Sequence, residues 1–236
     1  MKQLTKEELA VLKAFDGPTI CNAIEVFGLR SRTEGYMRPG MILRTGGREP
    51  IIGYAVTAKV GAHFASPDAH EKLMGYYEHV RENDGPTIAV IQDLDPDASA
   101  AFWGEVQATV HQSLGCVGTI MQGGVRDLKE VDAMGFTMFS TELNIAHGYT
   151  HVEQYACPVS VLGLDIYPGD LLFADVHGVV KIPQEILADL PAVCRKIADA
   201  ELPMLTPCRA AIREGRKPTM QEIRAWREAM NEARKM

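Results

Sequence analysis

Between residues 51 and 121, short apolar runs alternate with segments of helical pattern, and that alternation restricts the chain to a layered α/β fold. Residues 51–60 (IIGYAVTAKV) have the β-branched and aromatic content of a strand. Ser66-Pro67-Asp68 then supplies an N-cap, a first-turn proline and an acid at the positive end of a helix dipole, which predicts a helix to about Glu82. Residues 87–91 (TIAVI) suit a buried strand, 98–114 are helical in pattern, and 117–121 (VGTIM) form another buried run closed by Gly123-Gly124.

The flanks extend this order. Thr5-Lys6-Glu7-Glu8 is a capping-box pattern followed by Leu9, Leu12 and Phe15 at helical spacing, and Asp16-Gly17-Pro18 ends that helix. A second helix from about Thr19 buries Ile20, Ala23, Ile24 and Phe27, with Gly28 as its C-terminal cap. Residues 128–134 predict a helix stopped by Gly135, and 136–139, 159–161, 171–174 and 179–182 are strands between Pro and Gly turns. Beyond Pro183 the chain is helical and charged, with a second capping box at Thr219–Glu222. The reading is one α/β domain over residues 1–190 and a helical extension over 191–236, a packing or oligomer arm rather than an independent domain. The pentapeptide DGPTI occurs at 16–20 and 84–88, but it leads into a helix once and a strand once, so it is punctuation and not an internal repeat.

Charge and cysteines exclude several function classes. A formal net charge of −7 disfavours nucleic acid and anionic membranes as partners, because both are bound through Lys and Arg. Five scattered cysteines with no CxxC spacing give neither a disulfide framework nor a thiolate zinc site, and a reducing cytoplasm is the expected location. No apolar stretch approaches the ~18 residues of a membrane span, and the charged start is unlike a signal peptide.

The densest group of special residues is Gly104-Glu105 together with residues 122–130 (QGGVRDLKE). Two glycines after a buried strand permit a tight turn that leaves Arg126 and Asp127 at the strand's carboxyl end, where open α/β sheets bind ligands. Arginine offers a planar fork for a carboxylate, and a neighbouring acid can hold a hard divalent cation. The competing reading is a surface turn at a helix start, with Asp127 serving the dipole and Arg126 a local ion pair. Neither GxxxxGK[ST] nor GxGxxG is present, so no nucleotide cofactor is expected. His147 and His151 stand four apart but in a loop context, His177-Gly178 reads as a hairpin turn, Cys116 as a buried small hydrophobe, and Met74, Tyr76, Tyr77 and Trp103 as packing.

The segment GEVQATVHQSLGCVGTIMQGGVRDLKEVDAMGF resembles the RraA-like superfamily. That family holds metal-dependent 4-hydroxy-4-methyl-2-oxoglutarate / 4-carboxy-4-hydroxy-2-oxoadipate aldolases, the RraA regulators of ribonuclease E, and relatives formerly labelled demethylmenaquinone methyltransferase-like. GYAVTA at 53–58 and PVSVLGLDIYPGDLLFADVHGVVKIP at 158–183 resemble the family's early strand and its ending, so the resemblance covers roughly 17–183.

It implies an α/β fold with a mixed sheet in an α/β/β/α swivelling-domain-like sandwich, homotrimers or hexamers with sites between subunits, and a divalent-metal lyase releasing pyruvate from a 4-hydroxy-2-oxo acid. Oxaloacetate decarboxylation would accompany that activity. On the matching positions, Asp127 would be the direct ligand of Mg²⁺ or Mn²⁺ and Arg126 would bind the pyruvyl end. Backbone amides across Gly104, Glu105, Val106 and Gln107 would cradle the carboxylate, and Glu105 would belong to the acid network around the ion.

Two positions depart from the family: Gln122 stands where relatives commonly have Asp, and Asn22-Ala23 replaces an early Asp-Ala. These bear on substrate identity more than on metal binding. His63, His70 and His79, within 61–83, are candidates for shaping the pocket. The alternatives to the lyase are a non-catalytic regulator binding a protein such as a ribonuclease, and a methyltransferase, against which the missing glycine-rich loop counts. Asp127, which the regulators typically lack, favours the enzyme.

Overall fold

The computed structural model describes residues 4–97 and 99–235. The described residues of Met1–Gly17 and Arg32–Gln184 form one compact unit, and those of Pro18–Ser31 and Glu185–Met236 a second. In the first unit, β2 (Ile51–Gly61), β3 (Thr87–Asp93), β5 (Cys116–Val125) and β6 (Thr137–Leu143) pair in parallel in the order β6-β5-β3-β2. Antiparallel strands complete the sheet at both edges. β1 (Ile42–Leu43) pairs with β6, β10 (Leu171–Asp175) and then β11 (Gly178–Ile182) follow β2, and β7 (His151–Tyr155) pairs with the far end of β2. The carboxyl ends of the four parallel strands therefore share one edge.

Each face of this mixed sheet is covered. On one face Val56, Ala58, Ile91 and Met121 pack with Tyr76 and Val80 of α3 (Ala69–Arg81), Ala108 of α4 (Glu105–Ser113) and Val131 of α5 (Leu128–Ala133). On the other, Ile88, Val90 and Ile120 pack against the hairpin β8 (Val159–Val161) and β9 (Leu164–Ile166). Each fully buried aliphatic side chain contributes about 1.5–3 kcal/mol, and burial on both faces explains why these strands are apolar runs instead of alternating ones. The expected layering of a mixed sheet between helices and further β structure is what the chain adopts.

Besides the N-cap of α3, which is Asp68 and not Ser66 because the helix starts only at Ala69, two local expectations are corrected. Residues 98–114 are not one helix: Ala101–Trp103 form a short strand, β4, and α4 starts only at Glu105, while Ala98 lies outside the described residues. The reason is pairing: Ala101 and Trp103 lie against Gly124 and Val125 of β5, and the burial of Phe102 and Trp103 overrides helical periodicity. Second, Gly123-Gly124 do not form a turn after the strand; β5 continues through them to Val125. A Cβ on Gly124 would come within 2.6 Å of the Ala100 carbonyl oxygen, so glycine serves close backbone approach here.

The capping boxes are present at Thr5–Glu8, opening α1 (Lys6–Ala10), and at Thr219–Glu222, opening α7 (Met220–Ala233). A 3₁₀ turn, Val11–Ala14, continues α1. The second unit contains α2 (Gly17–Val26) from Pro18 onward, with α6 (Leu190–Arg213) and α7; Arg234 pairs with Glu201 at 2.6 Å between these last two helices. Among the described residues no helix is long and apolar enough to cross a membrane.

Candidate functional site

The pairing of β4 with β5 is carried one step further by the Arg126 amide, which donates to the Trp103 carbonyl at 2.9 Å. This places residues 103–105 directly beside 125–127. Asp127 then takes left-handed geometry (φ 55°, ψ 38°), unusual for a non-glycine residue, at the N-cap of α5. Its carboxylate does not cap its own helix. Instead Oδ2 accepts from the Glu105 amide, the first residue of α4, at 3.0 Å. Gly104 makes this approach possible, because a Cβ there would overlap the Asp127 carboxylate; its backbone is extended (φ −158°), so space and not dihedral freedom requires the glycine.

Arg126 lies alongside, with Nε 3.8 Å from Asp127 Oδ2 and Nη1 donating to the Ile145 carbonyl at 3.4 Å. Both side chains keep more than a third of their surface exposed, 37% for Arg126 and 38% for Asp127, so each can meet a ligand. The bonding ladder of α4 starts with the Ala108 amide donating to Gly104. The amides of Val106 and Gln107 precede that ladder at the positive end of the helix dipole, a geometry suited to an anion. Glu105 is exposed in the same turn.

A rigid aromatic bed holds α4 from beneath. The His111 ring lies 4.4 Å from Trp103 and 5.3 Å from Tyr76, centroid to centroid, and Nδ1 bonds the Gln107 carbonyl at 2.8 Å. Burial drives the His111 pKa down to about 4, so the ring is neutral, with the Nδ1 proton donated to Gln107. The Gln107 side chain accepts from the Tyr77 hydroxyl at 3.0 Å. Tyr76, Tyr77 and Trp103 thus act as packing, as expected, and position the first turn of α4.

The site edge also holds Asp93, which the sequence reasoning missed. It ends β3, and a Cβ on Gly123 would approach its Oδ2 to 2.7 Å. Burial, helped by the Asp95 charge, raises the Asp93 pKa to about 6, against the opposing Asp95 amide bond and His63. Its signal was available: Gln92-Asp93-Leu94-Asp95 directly follows an apolar strand run, the same logic applied to Arg126-Asp127.

Other candidates fall elsewhere. His151, on β7, bonds Tyr149 through Nδ1 and Glu153 through Nε2, each at 2.8 Å, while His147 bonds the Gly148 carbonyl. His63 lines a pocket of about 190 Å³ with Asp95, His151 and Glu153, and His70 and His79 are not in that lining. His177 occupies the β10–β11 turn beside Asp175. Cys116 is buried, with its thiol pushed up to about 12, and Gln122 Oε1 is buried with no hydrogen-bond partner among the described residues. Among the described residues no three His, Cys, Asp or Glu side chains converge as a metal cluster.

A sequence model of the RraA-like family (Aldolase/RraA) matches residues 17–181. The chain is 28% identical over 168 residues to a Halalkalibacterium halodurans protein named as a candidate 4-hydroxy-4-methyl-2-oxoglutarate aldolase, covering 71% of this chain and 73% of that one. It is 26% identical over 142 residues to Protein DlpA of Legionella pneumophila, covering 59% of this chain but only 22% of DlpA. Among solved structures, Streptomyces coelicolor RraAS2, an unusual member of the RNase ES inhibitor RraA family, superposes with a TM-score of 0.64 at 20% identity, over 81% of this chain and 92% of that one. That likeness shows a shared fold.

Proposed function

Because the chain belongs to the RraA-like family, which includes aldolases and ribonuclease inhibitors, we propose that it is a divalent-metal-dependent lyase that cleaves a pyruvyl-terminated 4-hydroxy-2-oxo acid to pyruvate and an oxo acid. The observation that carries this reading is the Asp127 carboxylate, turned from its own helix to the start of α4 beside the exposed Arg126 guanidinium.

The donor set fits a hard cation. Asp127 engages the Glu105 amide through Oδ2, leaving Oδ1 as a ligand, and a single carboxylate suffices for an ion that retains most of its water. Mg²⁺ or Mn²⁺ bound there would act as a Lewis acid toward the keto oxygen and carboxylate of the pyruvyl end. Arg126 binds that end bidentately, and the Val106 and Gln107 amides hold its carboxylate. Glu105 takes up, through water, the proton of the substrate's C4 hydroxyl. The C3–C4 bond then breaks, C4 becomes a carbonyl, and the electron pair remains on the pyruvyl half as an enolate, later protonated at C3. Oxaloacetate decarboxylation proceeds through the same enolate.

The test couples pyruvate release to lactate dehydrogenase, with oxaloacetate and 4-hydroxy-4-methyl-2-oxoglutarate, in Mg²⁺, Mn²⁺ or EDTA. Release that requires metal and is lost in Asp127→Ala supports the lyase. Absence of release from both substrates moves the reading to a regulator or to a lyase of another substrate. The regulator reading draws on the exposed Phe64, Val106 and Ile145, apolar groups available to a protein partner.

A further inference from the structure

Charge is unevenly spread along the chain. Residues 209–227, which comprise the end of α6, the following turn and the first half of α7, carry six Arg and Lys against two Glu, in a chain whose formal net charge is −7. Even with Glu228, the next residue, cations outnumber acids two to one. Both glutamates of the stretch face Arg216, with Glu214 3.0 Å from its Nε and Glu222 3.1 Å from its Nη1. Arg209, Arg213, Lys217, Arg224 and Arg227 are exposed, and none pairs with a carboxylate among the described residues. The hairpin is antiparallel, since Arg234 beyond the end of α7 reaches Glu201 in the middle of α6, so this basic stretch gathers at the turn end. On α7, Ile223, Trp226 and Met230, at helical spacing, take the packed side, which leaves Met220, Arg224 and Arg227 on the exposed one. Ile212, between Arg209 and Arg213 on α6, has 76% of its surface exposed, and Met220 has 67%.

We propose that the turn end of the α6–α7 hairpin docks peripherally on an anionic phospholipid bilayer, with Ile212 and Met220 entering the headgroup region and the five cations on lipid phosphates. Screening at physiological ionic strength confines each charge to about 8 Å, so this local excess, and not the chain's net −7, sets what the hairpin attracts. A cluster of about four to eight basic residues on an amphipathic helical surface draws anionic headgroups, and exposed aliphatic side chains add the apolar contact that holds such a surface at the interface. Single-stranded nucleic acid shares the phosphate chemistry but is held by stacking on aromatic side chains. Trp226, the only aromatic residue of the stretch, lies on the packed side of α7, so the exposed aliphatic pair favours the bilayer. The surface lies wholly within the second unit and is independent of the proposed lyase chemistry.

Flotation of the full chain with vesicles tests this, comparing phosphatidylcholine alone with an equimolar mixture of phosphatidylcholine and phosphatidylglycerol. The chain should float with the mixed vesicles at low ionic strength, far less with phosphatidylcholine alone, and progressively less as NaCl is added. Arg213→Gln combined with Lys217→Gln should weaken partitioning about twentyfold, and Ile212→Ser about tenfold at unchanged charge. All three positions are exposed, so the fold tolerates these changes. Lys129→Gln, an exposed neutralisation in the first unit, should leave partitioning unchanged. The proposal is overturned if the chain does not float with the mixed vesicles, if it binds phosphatidylcholine alone equally well, if the double variant floats like the parent, or if Lys129→Gln weakens partitioning as much as the double variant. Tighter binding of a single-stranded RNA oligonucleotide than of the vesicles, lost in the double variant, would also overturn it and assign the surface to nucleic acid.

Discussion

Asp93→Asn should stabilise the protein at neutral pH and do nothing in acid. The Asp93 carboxyl is raised from 3.8 to about 6, chiefly by burial at the end of β3. Two pKa units correspond to about 3 kcal/mol, and partial access to water reduces this to about 1–2 kcal/mol. A raised carboxyl binds its proton more tightly folded than unfolded. Its favourable contribution is therefore complete below about pH 4 and lost as pH rises through about 6. Above that, the folded state carries a half-buried charge that asparagine removes, while the amide oxygen can still accept the Asp95 N–H that now bonds Asp93 Oδ1 at 3.0 Å. Urea unfolding with EDTA present, followed by fluorescence of the buried Trp103 with Trp226 replaced by Phe, reads the difference between about pH 4 and about pH 8. A gain of about 1–2 kcal/mol at the higher pH that disappears at the lower is the expected result. An equal effect at both, or destabilisation at about pH 8, would refute the assignment of burial as the cause.

Other perturbations probe the site and the second unit. Gly104→Ala suits the extended backbone but displaces the Asp127 carboxylate, so urea stability should fall by about 1.5–3 kcal/mol and metal-dependent pyruvate release about 100-fold; full activity would contradict the packing argument. Arg126→Lys should raise KM for oxaloacetate at least about tenfold in steady-state assays, because a point charge does not reproduce a bidentate fork. Thr219→Ala removes the capping box of α7 and should cost about 1 kcal/mol, measured by hydrogen exchange at the start of that helix, with no effect on pyruvate release.

What the sequence determined by itself was whatever rests on local pattern. The capping boxes at Thr5 and Thr219, the apolar runs of β3 and β5, and the helix closed by Gly135 are set by side chains within a few residues of one another. Gly104, Arg126 and Asp127 were legible as a group through family resemblance, and residue types alone left a surface turn open. Tertiary structure decided what depends on contacts between distant segments. Ala101–Trp103 become a strand because β5 offers an unpaired edge beyond the end of β3, and Gly124 continues β5 because Ala100 approaches its Cα closely. Asp127 turns from its own helix because the Glu105 amide, 22 residues away in the chain, lies within hydrogen-bond reach. Asp93 acquires its raised pKa in the same way, from burial that neighbouring strands and loops impose at the end of β3. Local propensities are fractions of a kcal/mol per residue, whereas desolvation and packing between segments amount to several, so the long-range terms decide where the two disagree.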